Sequence, residues 1–190
     1  GIISDFVEKP QTFVSDLAII GIYYFRDGEN LRKELQYLLD NDIRDKGEYQ
    51  LTNALENMKM KGLKFSPGKV TEWLDCGNKD ATVYTNQRVL EFKKDEKNLV
   101  AASMKNENSE IIAPCFIGEN VVLKNSRIGP HASIGSNTII DSSVISNSIV
   151  QQHSKIQNSK IQNSMVGNFV EIFGANGDVS IGDYTVIKLN

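Results

Sequence analysis

Large aliphatic residues recur at a nearly constant spacing along the second half of the chain. From Ile112 onward they follow one another at eleven steps of five or six residues. An α-helix needs a spacing near 3.6 and a flat strand a spacing near 2, so neither explains the pattern. A period of this length is typical of a parallel β-helix, in which each aliphatic side chain points inward from one side of a triangular coil. The twelve positions are Ile112, Ile117, Leu123, Ile128, Ile134, Ile140, Ile145, Val150, Ile156, Ile161, Val166 and Ile172.

Small and polar residues separate these aliphatic positions. Asn-Ser pairs occur at 125–126, 147–148, 158–159 and 163–164, where a coil would turn its corners. With three sides to a coil, the twelve positions predict about four coils between residues 111 and 190. The alternative is a loop-rich β-sandwich with scattered isoleucines, which would not keep a constant spacing over so many steps.

The first half of the chain has the pattern of a mixed α/β layer structure. Segment 17–25, LAIIGIYYF, is apolar almost throughout and predicts a strand that is buried on both faces. Segment 2–8 predicts a shorter strand. Helical spacing of leucines predicts a helix near 29–41, and a second helix ends at Gly62, while a third follows Asp80.

Composition separates the same two halves. Residues 1–95 hold 30 of the charged side chains and residues 96–190 hold 15, whereas serines number 3 and 13. A polar stretch lies between the two regimes and has the composition of a linker. We therefore predict an α/β domain at 1–95, a linker at 96–110 and a β-helix at 111–190.

Overall composition excludes several classes of protein. The chain is 40% hydrophobic and contains no apolar run long enough to cross a membrane, so we predict no membrane partner. A net charge of -3 argues against binding to nucleic acid. Two cysteines that are far apart, Cys76 and Cys115, fit neither a zinc site nor a disulfide framework, and a reducing cytoplasm is the simplest location.

Motifs in both halves resemble one enzyme family. The segments 6-FVEKP-10, 18-AIIGIYYF-25, 48-EYQLTNAL-55 and 73-WLDCG-77 resemble, in this order, the C-terminal part of the sugar-1-phosphate nucleotidylyltransferases. The second half resembles the left-handed β-helix of hexapeptide-repeat proteins, and the combination looks most similar to glucose-1-phosphate thymidylyltransferases. The resemblance implies a Rossmann-like domain followed by a left-handed β-helix. It also implies transfer of a nucleotide from a nucleoside triphosphate to a sugar-1-phosphate, with release of pyrophosphate.

One family motif is absent from the 190 residues. The glycine-rich loop of the form GGxGTRLxPxT, which builds the nucleoside-triphosphate site in the family, has no counterpart. We therefore expect this chain to be a C-terminal fragment of a longer enzyme and to be inactive by itself. The residues that select the nucleotide base would lie outside the fragment.

The resemblance implies a sugar-phosphate site at five positions. Lys9 would bind the phosphate as a compact charge, and Glu8 would accept hydrogen bonds from sugar hydroxyls. Ile19, Gly21 and Tyr23 would line the sugar pocket, where strand alternation places all three on one face. The alternatives are an exposed lysine, a solvated acid and ordinary core packing.

The resemblance also implies a magnesium site at Asp75. Mg²⁺ prefers oxygen ligands and usually takes one or two carboxylates together with phosphates and waters. The alternative is that Asp75 caps the turn that leads into Gly77.

Two other functions remain open at this level. Some hexapeptide-repeat proteins are acyltransferases that use a histidine, but His131 and His153 both occupy polar positions between the aliphatic residues and are expected to be exposed. A non-catalytic assembly module is the second alternative, because the flanks of such coils commonly pack together. A repeat stack with exposed flanks also favours a homo-oligomer.

Overall fold

The structure, a computed structural model, describes residues 1–8 and 10–189. The residues up to Trp73 and those from Leu74 onward form two compact units. None of the helices in the described ranges is both long and apolar enough to cross a membrane. The helices are α1 (Gly28–Asp40), α2 (Leu51–Met60) and α3 (Lys79–Lys93). The strands are β1 (Lys105–Glu107), β2 (Glu110–Ile111), β3 (Phe116–Ile117), β4 (Val122–Lys124), β5 (Arg127–Ile128), β6 (Ser133–Ile134), β7 (Ile139–Asp141), β8 (Val144–Ser146), β9 (Ile149–Val150), β10 (Lys155–Gln157), β11 (Lys160–Gln162), β12 (Met165–Val166), β13 (Glu171–Phe173), β14 (Asn176–Gly177), β15 (Ser180–Ile181) and β16 (Val186–Lys188).

The strands form a parallel β-solenoid of about five coils, which confirms the β-helix prediction. Its first face contains β1-β4-β7-β10-β13-β16, and each neighbouring pair is parallel. The second face contains β2-β5-β8-β11-β14 and the third contains β3-β6-β9-β12-β15. Every third strand therefore returns to the same face, as a triangular coil requires. The arrangement is consistent with the left-handed form.

The solenoid core is a stack of aliphatic side chains. Eleven of the twelve predicted inward residues, from Ile117 to Ile172, are at most 2% exposed. The exception is Ile112, which is only half-buried. Its neighbour Ile111 pairs with Ile128 in the ladder and packs against the core. The predicted register was therefore wrong by one residue at the first position, because Ile111 and Ile112 are both isoleucine and spacing alone does not choose between them.

Serine and asparagine side chains close the corners of the coils. The buried hydroxyl of Ser143 donates to Asp141 O at 2.7 Å and accepts the amide of Ser159 at 3.1 Å, one coil further along. Asn125 and Asn158 turn the chain with φ angles of 45° and 48°, in the left-handed region that asparagine tolerates. Ser159, of the pair at 158–159, makes the same contacts, donating to Gln157 O at 2.7 Å and accepting the amide of Ala175 at 3.1 Å, so the corner serines satisfy backbone groups that would otherwise be buried without partners.

The solenoid begins before the predicted boundary. Strand β1 and the first residue of β2 lie within segment 96–110, which the sequence analysis assigned to a linker. Upstream of them, the amide of Ala101 donates to Ile117 O at 2.9 Å, and the amide of Ile117 donates to Leu99 O at 2.8 Å. Helix α3, which the sequence analysis placed in the first domain, belongs to the same compact unit as the solenoid.

The first unit is built around the packing of α1 against α2. Leu38 from α1 and Leu55 and Met58 from α2 are fully buried. After Lys61 the chain turns through Gly62, which has a φ of 92°, and the amide of Leu63 donates to Met58 O at 3.0 Å. This is a glycine-terminated helix end, as the sequence predicted.

The strands predicted at 2–8 and 17–25 do not form, and this part of the prediction was wrong. Ile22 is 79% exposed and Tyr24 is 90% exposed, whereas a strand buried on both faces would hide them. Gly21 has a φ of 78°, which interrupts an extended backbone. A strand exists only with a hydrogen-bonded neighbour, and within the described ranges no segment pairs with residues 17–25.

Candidate functional site

Glu8 and Tyr23, two of the predicted sugar-phosphate residues, interact in the first unit. Burial raises the pKa of the Tyr23 hydroxyl, and the negative charge of Glu8 raises it further. Glu8 is half-buried. A carboxylate that accepts hydrogen bonds and a phenol that donates one are both groups that can bind the hydroxyl groups of a polar ligand.

Aromatic contacts hold together the two segments that carry Glu8 and Tyr23. The ring of Tyr23 stacks on Phe25 at 6.1 Å, and Phe25 meets Phe65 at 6.5 Å. Phe65 also packs edge-to-face on Phe6 at 5.0 Å, while the amide of Ile3 donates to Phe65 O at 2.9 Å. Segment 63–66 therefore lies between the FVEKP segment and the AIIGIYYF segment and brings them into one neighbourhood.

Ile19 and Gly21 have different surroundings from those predicted. Ile19 is 44% exposed. Because Gly21 turns the backbone with a positive φ, strand alternation does not place Ile19 and Tyr23 on one face. A Cβ at Gly21 would meet nothing within 4 Å, so the glycine serves the backbone rather than a close contact. Lys9, the predicted phosphate ligand, lies outside the described residues.

Asp75 lies in the second unit at the turn before α3. Its Oδ1 accepts the amide of Cys76 at 2.8 Å, and its main-chain oxygen accepts the Thr85 hydroxyl at 2.6 Å. A Cβ at Gly77 would lie 3.0 Å from Asp75 Oδ2, so the glycine keeps that oxygen approachable. The Asp75 side chain is exposed. It therefore has the capping contact that the sequence offered as an alternative, made through Oδ1, while the side chain as a whole remains exposed.

Within residues 1–8 and 10–189 no three His, Cys, Asp or Glu side chains are grouped closely enough to hold a metal ion. A single exposed carboxylate fits one ligand position of Mg²⁺, which usually draws its other ligands from phosphates, waters and one further carboxylate. The donor type at Asp75 is thus compatible with magnesium, and the role itself stays a prediction.

The two histidines differ from each other, and one differs from its prediction. His131 is largely covered, with its side chain 17% exposed, and its Nε2 lies 2.7 Å from Glu91 Oε1 on α3. His153 is exposed as expected and stacks on Phe169, with ring centroids 4.8 Å apart. The contact of His131 was not predicted, because nothing in the repeat pattern indicates that a helix covers this corner.

Comparison with known proteins relates this chain to one enzyme class. A family model described as nucleotidyl transferase matches residues 1–92. Glucose-1-phosphate thymidylyltransferases from Streptomyces antibioticus and Streptomyces griseus are 29% and 27% identical over 150 residues, covering 72% of this chain in both cases. The bifunctional protein GlmU from Clostridioides difficile (strain 630) is 30% identical over 150 residues and covers 64% of this chain.

This chain is sugar-1-phosphate nucleotidyltransferase-like. It spans 41% of the length of each thymidylyltransferase and 32% of the GlmU protein. The nucleotidyltransferase-like region ends at residue 92, within α3. The last helix of that region is thus part of the compact unit that contains the solenoid, which links the Asp75 turn to the repeats.

Proposed function

We propose that the whole protein transfers a nucleotide from a nucleoside triphosphate to glucose-1-phosphate, forming a nucleoside-diphosphate sugar and pyrophosphate. The observation that supports this most is the match of residues 1–92 to the nucleotidyl transferase family, because this range contains all four motifs. Glucose-1-phosphate is taken from the names of two relatives. Because the chain covers two fifths of those relatives, the activity is proposed for the protein at its natural length.

In this reaction an oxygen of the sugar phosphate attacks the α-phosphorus and pyrophosphate leaves. Such transfers depend on positioning and on neutralising charge more than on covalent help from the protein. Lys9 binds the phosphate of the sugar-1-phosphate, and Glu8 accepts hydrogen bonds from the sugar hydroxyls. Tyr23 lines the sugar side of this site, supported by the interaction between Glu8 and Tyr23, whereas the positive φ at Gly21 takes Ile19 off the face that strand alternation predicted.

Asp75 supplies one magnesium ligand through its exposed carboxylate. Its Oδ1 accepts the amide of Cys76, which holds the carboxylate in a defined orientation. Bound Mg²⁺ offsets the negative charge that gathers on the phosphates. The aspartate thus acts mainly on the charge that develops during transfer, whereas Lys9 acts on the bound sugar phosphate.

The decisive experiment measures pyrophosphate release by the full-length protein with glucose-1-phosphate, Mg²⁺ and each nucleoside triphosphate in turn. Asp75→Asn should lower kcat by about 100-fold or more, the scale of losing one group that stabilises the transition state. Lys9→Ala should chiefly raise the KM for the sugar phosphate. Asp80→Asn, at an aspartate that is paired with Lys79 at 3.0 Å on the same helix, is the matched control and should keep normal rates. Absence of turnover with every nucleoside triphosphate would contradict the proposal.

Cytoplasmic location and assembly into a homo-oligomer are further parts of the proposal. Assembly rests on the solenoid, whose stacked strands leave side faces that can pack together. The molar mass in solution tests it directly, and a monomer at micromolar concentration would contradict it.

A further inference from the structure

Two side chains of helix α3 contact the solenoid, one in the middle of the helix and one near the C-terminal end of the helix. The Asn86 side chain donates from Nδ2 to His131 O at 3.2 Å and accepts the Ser133 hydroxyl at 2.6 Å. Glu91 Oε1 lies 2.7 Å from His131 Nε2. Both ends of the Asn86 amide are therefore used, which fixes its orientation on the second coil.

The first residue of α3 contacts a distant coil. Lys79 Nζ lies 2.6 Å from Asp178 Oδ2, and Asp178 follows β14 in the fifth coil. The second and fifth coils are separated by about 14 Å, since parallel strands lie about 4.8 Å apart. Along the helix, Asn86 lies 7 residues after Lys79, or roughly 11 Å, and Glu91 lies 12 residues after it, or roughly 18 Å. The helix thus runs along the stack axis, fastened near both of its ends.

The start of the same helix holds the Asp75 turn. The Thr85 hydroxyl donates to Asp75 O at 2.6 Å, and the Thr82 hydroxyl donates to Cys76 O at 3.2 Å. Asn78 caps the helix by accepting the amide of Ala81 at 2.9 Å. The main-chain carbonyls of Asp75 and Cys76 are therefore tied to side chains of α3.

We propose that the solenoid positions Asp75 through α3, and that Thr85 and Asn86 are positioning residues for its carboxylate. The proposal rests on the proposed function, in which Asp75 is a magnesium ligand. The solenoid is a rigid reference because its core side chains are almost completely buried. Asn86 ties α3 to that reference, and Thr85 ties the turn to α3 one residue earlier. An exposed carboxylate that must meet a metal within a fraction of an ångström needs such support.

Amide hydrogen exchange in the full-length protein tests this independently of activity. Thr85→Val removes the hydroxyl at nearly constant volume, and it should speed exchange of residues 74–78 about fivefold, the scale of losing one neutral hydrogen bond. Thr85→Ser keeps the hydroxyl and should behave as wild type. Asn86→Ala, which does not alter any group that bonds the turn, should also speed exchange there severalfold.

Ser143→Ala is the matched control for damage to the solenoid. Its hydroxyl closes a different corner, between the first and second faces, so exchange of residues 74–78 should stay unchanged. Unchanged exchange in Asn86→Ala would overturn the proposal. Equal acceleration in Ser143→Ala and Asn86→Ala would overturn it as well, because the effect would then reflect general loss of stability.

A second measurement concerns magnesium itself. Asn86→Ala should raise the Mg²⁺ concentration needed for half-maximal turnover severalfold and leave the KM for the sugar phosphate unchanged. Should Asp75→Asn leave the Mg²⁺ dependence as it is, the metal role in the proposed function is wrong. The exchange results would still decide, by themselves, whether α3 and the solenoid position the turn.

Discussion

Large apolar side chains are buried at the inward positions of the solenoid but exposed along one segment of the unit that precedes it. In the solenoid, inward positions such as Ile134 and Ile140 are 0% exposed, and each is paired with the equivalent residue of the next coil, Val150 and Ile156. In segment 13–24 of the first unit, large apolar residues including Phe13, Leu17 and Tyr24 are exposed. A repeat buries its core against its own neighbours, whereas a strand of an α/β sheet depends on partners that are distant in sequence. Regularity along the chain is therefore a better guide to burial than hydrophobicity alone.

The largest expected effect tests the solenoid half of this comparison. Ile140→Asp should cost about 4 kcal/mol or more of unfolding free energy, because it buries an unpaired charge and removes core contacts. The adjacent Ile139 belongs to the same strand but points outward and is 40% exposed. Ile139→Asp should therefore cost under about 1 kcal/mol. Urea unfolding of both variants measures the difference, and equal losses would show that the inward register is wrong.

An isoleucine-to-aspartate substitution in the first unit should hardly change the unfolding free energy of this 190-residue chain. Ile22→Asp replaces a residue that is 79% exposed, and its effect on unfolding free energy should be within about 0.5 kcal/mol. A loss as large as that of Ile140→Asp would mean that segment 17–25 is buried after all, and the contrast between the two regions would disappear.

A middle-sized effect is expected at the solenoid corners. Ser143→Ala leaves the buried amide of Ser159 without its acceptor, which should cost about 1–3 kcal/mol. Ser142→Ala is the control, because that hydroxyl is exposed and bonds only the neighbouring Asp141 side chain. Thermal unfolding of the pair separates them, and a neutral Ser143→Ala would show that water replaces the hydroxyl at the corner.

The end of α2 provides a smaller effect in the first unit. Gly62 has a φ of 92° and no neighbour within 4 Å of a Cβ, so only the backbone conformation penalises a side chain there. Gly62→Ala should cost about 1 kcal/mol. Gly62→Asn should lose less, since asparagine tolerates the left-handed region, as Asn125 and Asn158 do in the solenoid. Equal losses for the two variants would count against this account.

A further small effect depends on pH and concerns the contact between α3 and the solenoid. The hydrogen bond from His131 holds the pKa of the Glu91 carboxyl below its ordinary value, with smaller contributions from the charges of Lys94 and Arg88. A lowered folded-state pKa stabilises the fold above the unfolded value, which is about 4.3, and this stabilisation is lost as pH falls through the folded pKa. The Tm advantage of wild type over Glu91→Gln should thus be present at neutral pH and shrink in acid. An advantage that is constant down to about pH 3 would contradict the linkage.

What the sequence by itself determined is the solenoid. The spacing from Ile117 to Ile172 predicted eleven buried positions, because in a repeat the environment of each residue is set by residues about one coil away. The helix end at Gly62 was also readable, since a positive φ after a helical pattern is a local property. The motifs predicted the nucleotidyltransferase-like relationship of the first half from short segments alone.

Only the tertiary structure decided which segments meet. The choice of Ile111 over Ile112, the irregular course of residues 17–25 and the cover that α3 places over His131 all depend on partners far along the chain. The segments that carry Glu8 and Tyr23 likewise meet through aromatic contacts of Phe6 and Phe25 with Phe65, about forty residues further on. Periodicity records the average environment of a residue along one dimension. A segment can pair with many distant segments, and which pairing is most stable is determined only by the packing of the whole chain.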